Sequence, residues 1–589
     1  MQPKTQPTDL QLALKECRSY FNIAGFFSFF INIIMLVPPL YMLQVYDRVV
    51  TSRSESTLLL LTLIVILLLS TMGLLEWVRS QILVKAGAKL DVLLNERLFN
   101  ATFKNSLNSG GAQSSAQPVS DLTSLRQFLT GNGLFAFFDA PWLPIYIAVM
   151  FLFHPYFGWS AVAASIILII IAIINEKISA GLLAEANKSS ISATNFLNKN
   201  LRNTEVIESM GMLDNIRARW KGMNDNTIIL QADASKRAGL MTSISKSFRM
   251  IVQSMVLGLG AYLAIQQEIT PGLMIAGSIL LGRALAPVDL MIGSWKGFVS
   301  ARGAYQRLNE MLEMVPADKE TMPLPAPEGH LSVENIVVIP PGSKLPVLKG
   351  MTFNVNKGES VAVVGPSAAG KSTLARALLG IWPAASGKVR LDAADIYAWD
   401  RIELGKSIGY LPQDVELFDG SVSENIARFG EVDSKAVIAA SKAAGVHEMI
   451  LRLPDGYDTV IGGYGGVLSG GQRQRIGLAR AMYGDPAFIV LDEPNSNLDE
   501  NGERALSIAM QNLKQKNSTL IVISHKMNII SQVDNMLVMA DGLLSLYGPK
   551  EEVLAKLEQG RLEQQKQQAK QIAANTKPVA PVAPTVVTV

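Results

Sequence analysis

The sequence predicts an α-helical transmembrane domain with six spans, fused to an α/β domain that carries a phosphate-binding loop. Two observations lead to this fold class. Hydrophobic residues make up 49% of the 589-residue chain and charged residues only 17%, against about 25% in an average soluble protein. Long uncharged stretches lie before residue 294, and the loop motif lies after it. This composition excludes a disordered chain and argues against a purely soluble enzyme.

Four of the six predicted spans come from uninterrupted apolar runs. Residues 19–46 and 56–75 carry no charge, and each run is long enough to cross a bilayer as a helix. Residues 140–175 contain no Asp, Glu, Lys or Arg, and His154–Gly158 in their middle has the composition of a turn. This third run therefore predicts two spans joined as a tight hairpin.

The last two predicted spans are residues 250–267 and about 271–293. The final one contains Arg283 and Asp289. Charges inside a membrane normally face the interior of a helix bundle or a wet cavity. We therefore expect these two side chains either to line such a cavity or to stabilise the bundle as an internal ion pair.

The distribution of basic residues predicts the orientation. The connections near residues 44–55 and 266–270 are short and poor in Lys and Arg, whereas the long stretches between spans two and three and between spans four and five are basic. By the positive-inside rule, these long stretches and both termini are expected in the cytoplasm. The net charge, 53 − 50 = +3, is too balanced to suggest nucleic-acid binding. A single cysteine, Cys17, excludes a disulfide within the chain.

Changes in composition predict the domain boundaries. The expected segments are an N-terminal cytoplasmic segment (1–19), the transmembrane domain (20–314), a linker rich in proline and charge (315–329), the α/β domain (330–560) and a disordered tail (561–589). Within the α/β domain, three short apolar runs predict buried strands of a mostly parallel sheet, namely residues 360–364, 488–491 and 519–523.

The clearest chemical motif is G-x-x-x-x-G-K-[ST], directly after the first of these strands. Glycines let backbone N–H groups approach phosphates, the lysine neutralises β- and γ-phosphate charge, and the serine hydroxyl can hold Mg²⁺. The predicted ATP-binding residues are Gly365, Pro366, Ser367, Ala368, Ala369, Gly370, Lys371, Ser372 and Thr373. A strand before the motif and a helix after it are the context in which such loops bind nucleotides.

A second apolar strand ends in two carboxylates, Asp492 and Glu493. In an α/β domain with a phosphate loop, this arrangement places the first carboxylate near the metal ion and the second near an attacking water. We therefore expect Asp492 to be a Mg²⁺ ligand and Glu493 to be the general base.

The motif Leu468-Ser469-Gly470-Gly471-Gln472 resembles the signature of ATP-binding cassettes. The chain is also similar to this family at its glutamine loop (Gln413), aspartate loop (Asp499) and switch histidine (His525). The resemblance implies that ATP binds between the phosphate loop of one cassette and Ser469, Gly470, Gly471 and Gln472 of another, so that the chain acts as a homodimer. It further implies that Gln413 contacts the metal, that Gln413 and His525 assist hydrolysis, and that Asp499 couples the two sites.

Six spans ahead of one cassette are typical of exporters. Among exporters, the chain resembles the type I secretion ATPases that export proteases and lipases, in four stretches: 43–49, 139–146, 205–212 and 495–506. This resemblance implies a multi-pass protein of the bacterial inner membrane, surrounded by lipid. Its implied partners are a periplasmic membrane-fusion adaptor, an outer-membrane duct and an unfolded secreted protein recognised by a C-terminal signal. Arg283 and Asp289 then become candidates for the transport path.

Two positions depart from the family pattern. Most cassettes carry an aromatic residue that stacks on adenine, but the matching stretch here is Val337–Pro341. Exporters tend to carry a glutamate shortly before the signature, where this chain has Gly463. Two other functions also remain open: an exporter of lipid or small hydrophobic molecules, and a membrane-anchored regulatory ATPase that transports nothing.

Overall fold

The computed structural model describes residues 7–111, 116–201, 203–317, 322–462 and 468–575. The chain divides into two compact units, one formed by residues 1–106 and 111–318 and the other by residues 107–110 and 319–589. The division at residues 318 and 319 falls inside the predicted linker. The first unit is helical, and the second is α/β.

The described part of the first unit consists of helices. These are α1 (Asp9–Glu16), α2 (Arg18–Ile34), α3 (Val37–Gln44), a π-helical turn (Val45–Val49), α4 (Val50–Ser52), α5 (Glu55–Asn108), α6 (Gln117–Thr130), α7 (Asn132–Asp139), a 3₁₀ turn (Ala140–Trp142), α8 (Leu143–Phe153), α9 (Pro155–Leu201), α10 (Thr204–Ser209), α11 (Leu213–Ile265) and α12 (Pro271–Met314).

Six helical segments in the described residues are long and apolar enough to cross a membrane, as the sequence predicts. They are Arg18–Ser52, Glu55–Asn108, Gly133–Phe153, Pro155–Leu201, Leu213–Ile265 and Pro271–Met314. The predicted hairpin turn lies at His154, between α8 and α9. The longest helix has 54 residues and spans roughly 80 Å at 1.5 Å per residue, whereas the bilayer core is about 30 Å thick. The spans therefore continue well beyond the membrane at one end.

Polar contacts fasten the short turns at the other end of the bundle. Asp47 lies in the π-helical turn and accepts hydrogen bonds from the Gly272 amide (2.9 Å) and the Thr270 hydroxyl (2.5 Å) at the start of α12. His154 Nε2 lies 3.1 Å from Glu268 Oε2. Asp47 thus holds the first span to the last, and the His154–Glu268 contact holds the hairpin turn to the connection before α12.

The second unit is an α/β domain, and its described residues form twelve strands. They are β1 (Leu331–Val338), β2 (Leu348–Val355), β3 (Ser360–Val364), β4 (Ser386–Leu391), β5 (Ala394–Asp395), β6 (Ile408–Leu411), β7 (Gly420–Ser421), β8 (Val460–Ile461), β9 (Phe488–Asp492), β10 (Thr519–Ile523), β11 (Asn535–Ala540) and β12 (Leu543–Pro549). The main sheet has the order β12-β11-β3-β10-β9-β6, and all its neighbours pair in parallel except β11 with β12.

The described residues of this unit also form helices, several of which pack on the main sheet. They are α13 (Lys371–Leu378), α14 (Arg401–Ser407), α15 (Val422–Ile426), α16 (Ser434–Ala443), α17 (His447–Leu451), α18 (Gly470–Met482), α19 (Glu500–Gln515), α20 (Met527–Ile530) and α21 (Lys550–Asn575). β3, β9 and β10 are buried along their whole length, as expected for a parallel sheet covered on both faces.

The C-terminal tail corrects one prediction. Residues 561–589 are predicted to be disordered, but α21 continues to Asn575. Lys, Glu, Gln and Ala are good helix formers and dominate this stretch, so the low hydrophobicity that suggests disorder does not prevent a helix. Residues 576–589 lie outside the described part of the chain.

Candidate functional site

Four of the predicted motifs meet at one edge of the main sheet. The phosphate loop follows β3, His525 follows β10, and Gln413 follows β6. Asp492 is the last residue of β9, and Glu493 comes directly after it. These strands are neighbours in the order β3-β10-β9-β6 and all run in parallel. Their register aligns the ends, since Ile523 pairs with both Val363 and Asp492. Ligands of such sheets bind at this carboxyl edge.

The phosphate loop has the backbone geometry that anion binding requires. Gly370 has φ +96° and precedes the first turn of α13, so the free N–H groups of this helix point into the loop. Gly365 has no room for a side chain, because a Cβ would lie 2.4 Å from the Met539 carbonyl oxygen. Lys371 Nζ donates to the Gly365 and Pro366 carbonyl oxygens at 2.7 and 3.1 Å. The lysine charge therefore lies within the loop itself.

Ser372 and Asp492 form a small metal-compatible site beside this loop. Asp492 is only 3% exposed, and the Ser372 side chain lies beside its carboxylate. Its Oδ1 atom is buried and has no hydrogen-bond partner among the described residues. Burial raises the pKa of Asp492 above the ordinary aspartate value, although Ser372 and the positive charges of Arg376 and Lys371 oppose this shift. An orphaned carboxylate oxygen next to a hydroxyl is the donor set that Mg²⁺ prefers.

Glu493 is held in an unusual conformation by neighbouring groups. Its φ of +47° lies in the left-handed region, and its backbone N–H donates to the Ile523 carbonyl at 2.9 Å. Gln413 Nε2 donates to its Oε2 at 3.2 Å. The structure thus brings the predicted base and the predicted glutamine-loop residue into direct contact. A non-glycine residue with positive φ costs free energy, and it persists only where surrounding contacts hold the backbone in place.

The signature motif caps a helix. Ser469 is the N-cap of α18, with its hydroxyl accepting from the Gln472 amide (3.3 Å) and its own amide donating to Gln472 Oε1 (2.8 Å). Gly471 has no space for a side chain, because a Cβ would lie 2.7 Å from the Asn497 carbonyl oxygen. The first turn of α18 has N–H groups without partners inside the helix, and such a helix N-terminus suits a phosphate.

Sequence reasoning missed Gln474, which links three of these motifs. Its side chain is buried, and its Nε2 donates to the Glu493 carbonyl oxygen at 3.2 Å while its Oε1 accepts from the Asn497 amide at 3.0 Å. The residue therefore ties α18 to the general-base position and to the aspartate loop. The available signal was a second glutamine two residues beyond the signature, on the helix face that Leu478, four residues later, also buries.

The remaining predicted residues have simpler surroundings. Asp499 is the N-cap of α19, and its carboxylate accepts from the Gly502 amide at 2.8 Å. His525 is exposed, and the preceding Ser524 donates to Asn495 Oδ1 at 3.0 Å. Ile339 is exposed at the end of β1, so the surface in the adenine-matching stretch is apolar, as the sequence predicts. Gly463 lies outside the described residues.

The two charges of the sixth span do not pair with each other. Asp289 forms an ion pair with Arg249 on α11, with Nε and Oδ2 2.8 Å apart, and accepts a hydrogen bond from Ser245. Arg283 has an exposed side chain. The expected Arg283–Asp289 pair is therefore absent from the described residues, and Asp289 pairs instead with Arg249 of the fifth span.

Comparison with known proteins agrees with this architecture. The family model described as the ABC transporter transmembrane region matches residues 21–286, and the model described as ABC transporter matches residues 348–496. A bacterial Atm1-family ABC exporter with ATP bound has the same fold, with a TM-score of 0.77 at 23% identity over 92% of this chain and 96% of that one. The fold and the ATP site therefore define a membrane transporter of the ATP-binding-cassette class.

The relatives identify the family more closely. The type I secretion system ATP-binding protein PrsD of Rhizobium meliloti is 44% identical over 94% of this chain and 95% of its own length. The leukotoxin export ATP-binding protein LtxB of Aggregatibacter actinomycetemcomitans is 28% identical over 90% of this chain and 75% of its length. The chain belongs to the ATP-binding proteins of type I secretion systems. It is a multi-pass inner-membrane protein whose ATP hydrolysis is coupled to transport.

Proposed function

We propose that this protein exports unfolded polypeptides with a C-terminal signal across the bacterial inner membrane. It acts with a periplasmic membrane-fusion adaptor and an outer-membrane duct. The observation that carries the proposal is the 44% identity to a type I secretion ATP-binding protein, which extends over both domains. The leukotoxin relatives, named for export or translocation of a protein, support the same substrate class.

The proposed orientation places the long helical extensions, both termini and the cassette in the cytoplasm. The basic stretches 79–126 and 177–249 belong to these extensions, and basic segments remain on the cytoplasmic side. The short turns fastened by Asp47 and His154 then face the periplasm, where the adaptor binds.

In the proposed mechanism, the phosphate loop, Lys371 and the N-terminus of α13 bind the β- and γ-phosphates. Ser372, Asp492 and Gln413 would hold Mg²⁺, which neutralises phosphate charge when bound. Glu493 accepts the proton of the attacking water, Gln413 orients its carboxylate, and His525 contacts the γ-phosphate. Positioning and charge neutralisation account for most of the catalysis, because phosphoryl transfer needs little covalent assistance from the protein.

Each ATP is proposed to lie between two chains of a homodimer. The chain has one phosphate loop and one signature motif. The N-terminus of α18, with Ser469, Gly470, Gly471 and Gln472, supplies free N–H groups to the γ-phosphate bound by the partner chain. Asp499, in the aspartate loop that follows Glu493, couples the ATP site of one chain to the ATP site of the other. Closure of the cassettes reorients the spans, and hydrolysis reopens them.

For the transport path, we propose that Arg283 faces the substrate on the sixth span. Its side chain is exposed, whereas Asp289 is engaged by Arg249 and Ser245. Asp289 therefore shapes the path by fixing the spacing of α11 and α12. Replacing Arg283 by alanine should lower export and leave the ATPase rate without substrate unchanged.

The decisive experiment is co-purification with the Glu493→Gln protein from bacterial membranes. Loss of the base should retain ATP and hold the cassettes closed, with hydrolysis at least a hundredfold slower. Recovery of an adaptor together with a secreted protein bound through its C-terminal segment supports the proposal. Wild-type turnover by this variant would remove Glu493 as the base.

Two outcomes would replace the proposal. If lipid alone is recovered and no C-terminal fragment changes the ATPase rate, the protein is an exporter of lipid or small hydrophobic molecules. If reconstituted vesicles hydrolyse ATP but show no flux of polypeptide or lipid, it is a regulatory ATPase.

A further inference from the structure

The C-terminal end of α18, the helix that begins with the signature motif, is held by the side chain of Arg428. Its Nε donates to the Arg480 carbonyl oxygen at 3.1 Å. Its Nη2 donates to the carbonyl oxygens of Ala481 and Tyr483 at 3.2 and 3.1 Å, and its Nη1 donates to that of Gly405 on α14. The last carbonyl groups of a helix have no partner within it, and a cation is favourable there. Arg428 therefore satisfies the end of α18 that lies opposite to the signature.

The backbone that carries this side chain is strained. Arg428 and Phe429 both have φ of +58°, in the left-handed region that residues other than glycine rarely adopt. Two such residues in succession cost free energy, and they persist only where surrounding contacts hold them. The hydrogen bonds of Arg428 to α14 and α18 are contacts of this kind. The side chain and the strained turn after α15 therefore stabilise each other.

The same turn is connected to the segment that follows Gln413. Asn425 on α15 is fully buried, and its side chain accepts from the Phe418 amide and donates to the Phe418 carbonyl oxygen, both at 2.9 Å. Arg480 Nη1 and Nη2 both lie 3.2 Å from the Glu416 carbonyl oxygen and donate to it. The C-terminal end of α18 is therefore attached on two sides, to α15 through the strained turn and to the glutamine-loop segment.

A rigid helix transmits a shift of one end to the other. α18 has 13 residues and is about 20 Å long at 1.5 Å per residue. Ser469 and the free N–H groups lie at its other end. Hydrogen bonds from such groups need donor–acceptor distances of about 2.7–3.2 Å, so an axial shift of about 1 Å removes them. The position of the signature therefore depends on the groups that hold the far end of α18.

We propose that Arg428 is a positioning residue for the ATP site of the partner chain. It sets the position of α18 along the helix axis, and with it the distance from Ser469 to the γ-phosphate that the other chain binds. Arg428 acts through the helix and does not contact the nucleotide. This inference rests on the homodimeric ATP site of the proposed function. A substitution of Arg428 should therefore impair the site whose phosphate loop belongs to the other chain.

The test measures which chain of a mixed dimer retains nucleotide. Both full-length chains carry Glu493→Gln and different affinity tags, and one chain also carries Arg428→Lys. Lysine keeps the charge but lacks the planar fork that reaches several carbonyl oxygens. Dimers in nanodiscs are loaded with radiolabelled 8-azido-ATP and Mg²⁺, irradiated and separated into their chains. Label on the chain without Arg428→Lys should fall about tenfold, the effect of losing a hydrogen bond to a charged group. Label on the chain that carries Arg428→Lys should stay as in the Glu493→Gln dimer.

Three further variants serve as controls in the same design. Arg452→Lys changes an exposed arginine directly after α17 and should leave the label on both chains unchanged. Ser469→Arg disrupts the signature itself and should lower the label on the other chain. Arg428→Gln, which removes the charge as well as the fork, should act as Arg428→Lys does and guards against one variant failing to fold, which the melting temperature reports.

Two results would overturn the inference while leaving the homodimeric site intact, provided that Ser469→Arg acts on the other chain. The first is the same label on both chains of the Arg428→Lys dimer, whether retained or lost. The second is a loss confined to the chain that carries Arg428→Lys, which would mean that the residue acts through the glutamine loop of its own chain. If Ser469→Arg lowers the label on its own chain only, or on neither chain, the homodimeric ATP site is wrong and the inference fails with it.

Discussion

The Asp492 carboxylate has a buried oxygen without a partner and a pKa raised above the ordinary aspartate value. A raised pKa means that the carboxylate takes up a proton at a higher pH than an exposed aspartate, whose pKa is about 3.9. Because a protonated carboxyl group is a poor metal ligand, Mg²⁺ affinity should fall as the pH is lowered. As a predicted Mg²⁺ ligand, Asp492 is expected to couple the metal requirement of the ATPase to pH.

We predict that Asp492→Asn raises the Mg²⁺ concentration for half-maximal ATPase activity at least tenfold at pH 7.5, because it removes a carboxylate from the metal site. In the wild type this concentration should rise as the pH falls toward the range in which an aspartate takes up a proton. The measurement is a Mg²⁺ titration of ATP hydrolysis at several pH values. Asp485→Asn, which changes an exposed carboxylate of the same unit, is the control and should behave as the wild type.

If Asp492→Asn and the wild type require the same Mg²⁺ concentration, Asp492 is not a metal ligand. In that case its burial and its contact with Ser372 serve the packing of the phosphate loop against β9, and the melting temperature of the variant should fall while its metal requirement stays constant.

For single residues, sequence motifs identify those whose role depends on their immediate neighbours in the sequence. The phosphate loop and the two carboxylates are recognisable because each role is performed by consecutive residues next to a strand. Gln474 and Arg249 are not recognisable in this way. Their roles depend on contacts with Glu493 and Asp289, which are 19 and 40 residues away and become neighbours only when helices and strands pack.

Among the structural elements, the first three spans share a buried polar network. Arg79 on α5 donates to Asp139 Oδ1 (3.1 Å) and to Ser28 Oγ (2.9 Å), and Asn32 Nδ2 donates to the same Asp139 oxygen (2.8 Å). The Tyr146 hydroxyl completes the network by donating to Asn32. This gives a physical reason for the stretch 139–146, which the sequence connects only with a family.

We predict that Asp139→Leu lowers the melting temperature of the detergent-solubilised protein strongly. Removing one partner of a buried ion pair costs about 3–5 kcal/mol, because the other charge stays buried without compensation. The double variant Arg79→Leu/Asp139→Leu should recover part of this loss, since it removes both charges. Thermal unfolding of the three proteins measures the effect.

The exposed ion pair Arg217–Asp214 provides a control, because surface pairs contribute at most about 1 kcal/mol. Asp214→Leu should therefore unfold close to the wild-type temperature. A double variant less stable than Asp139→Leu would show that Arg79 is stabilised by Ser28 and by the Phe135 ring, 4.3 Å from its guanidinium carbon, more than by Asp139.

Sequence patterns predict helices and strands correctly where the spacing of apolar residues and the length of the apolar run indicate the same kind of element. Six spans and the parallel strands β3, β9 and β10 follow from apolar runs of the right lengths. The sequence does not predict the continuation of α21 to Asn575, because a polar composition of this kind is also typical of disordered segments. The polar turns at Asp47 also escaped prediction, since Gly272 and Thr270 reach Asp47 only through the packing of the first and last spans.

For the whole molecule, the central question is whether one ATP site needs two chains. Each chain has one phosphate loop with Lys371 and one signature with Ser469. Two chains can build two sites either within each chain or across the pair. When two differently substituted chains pair, the two arrangements leave different ATP sites intact. Measuring which pairs of variants keep ATPase activity therefore distinguishes a site within one chain from a site across the pair.

We predict complementation between Lys371→Ala and Ser469→Arg chains. Across a homodimer, the Ser469→Arg chain supplies an intact phosphate loop and the Lys371→Ala chain supplies an intact signature, so one complete site forms. Heterodimers isolated with two different affinity tags should therefore hydrolyse ATP well above either homodimer, up to about half the wild-type rate if the sites act independently. A chain carrying both substitutions, paired with a wild-type chain, should form no complete site and should be nearly inactive. Sites built within single chains would reverse the two results, because the doubly substituted pair would then keep one intact site and the singly substituted pair none.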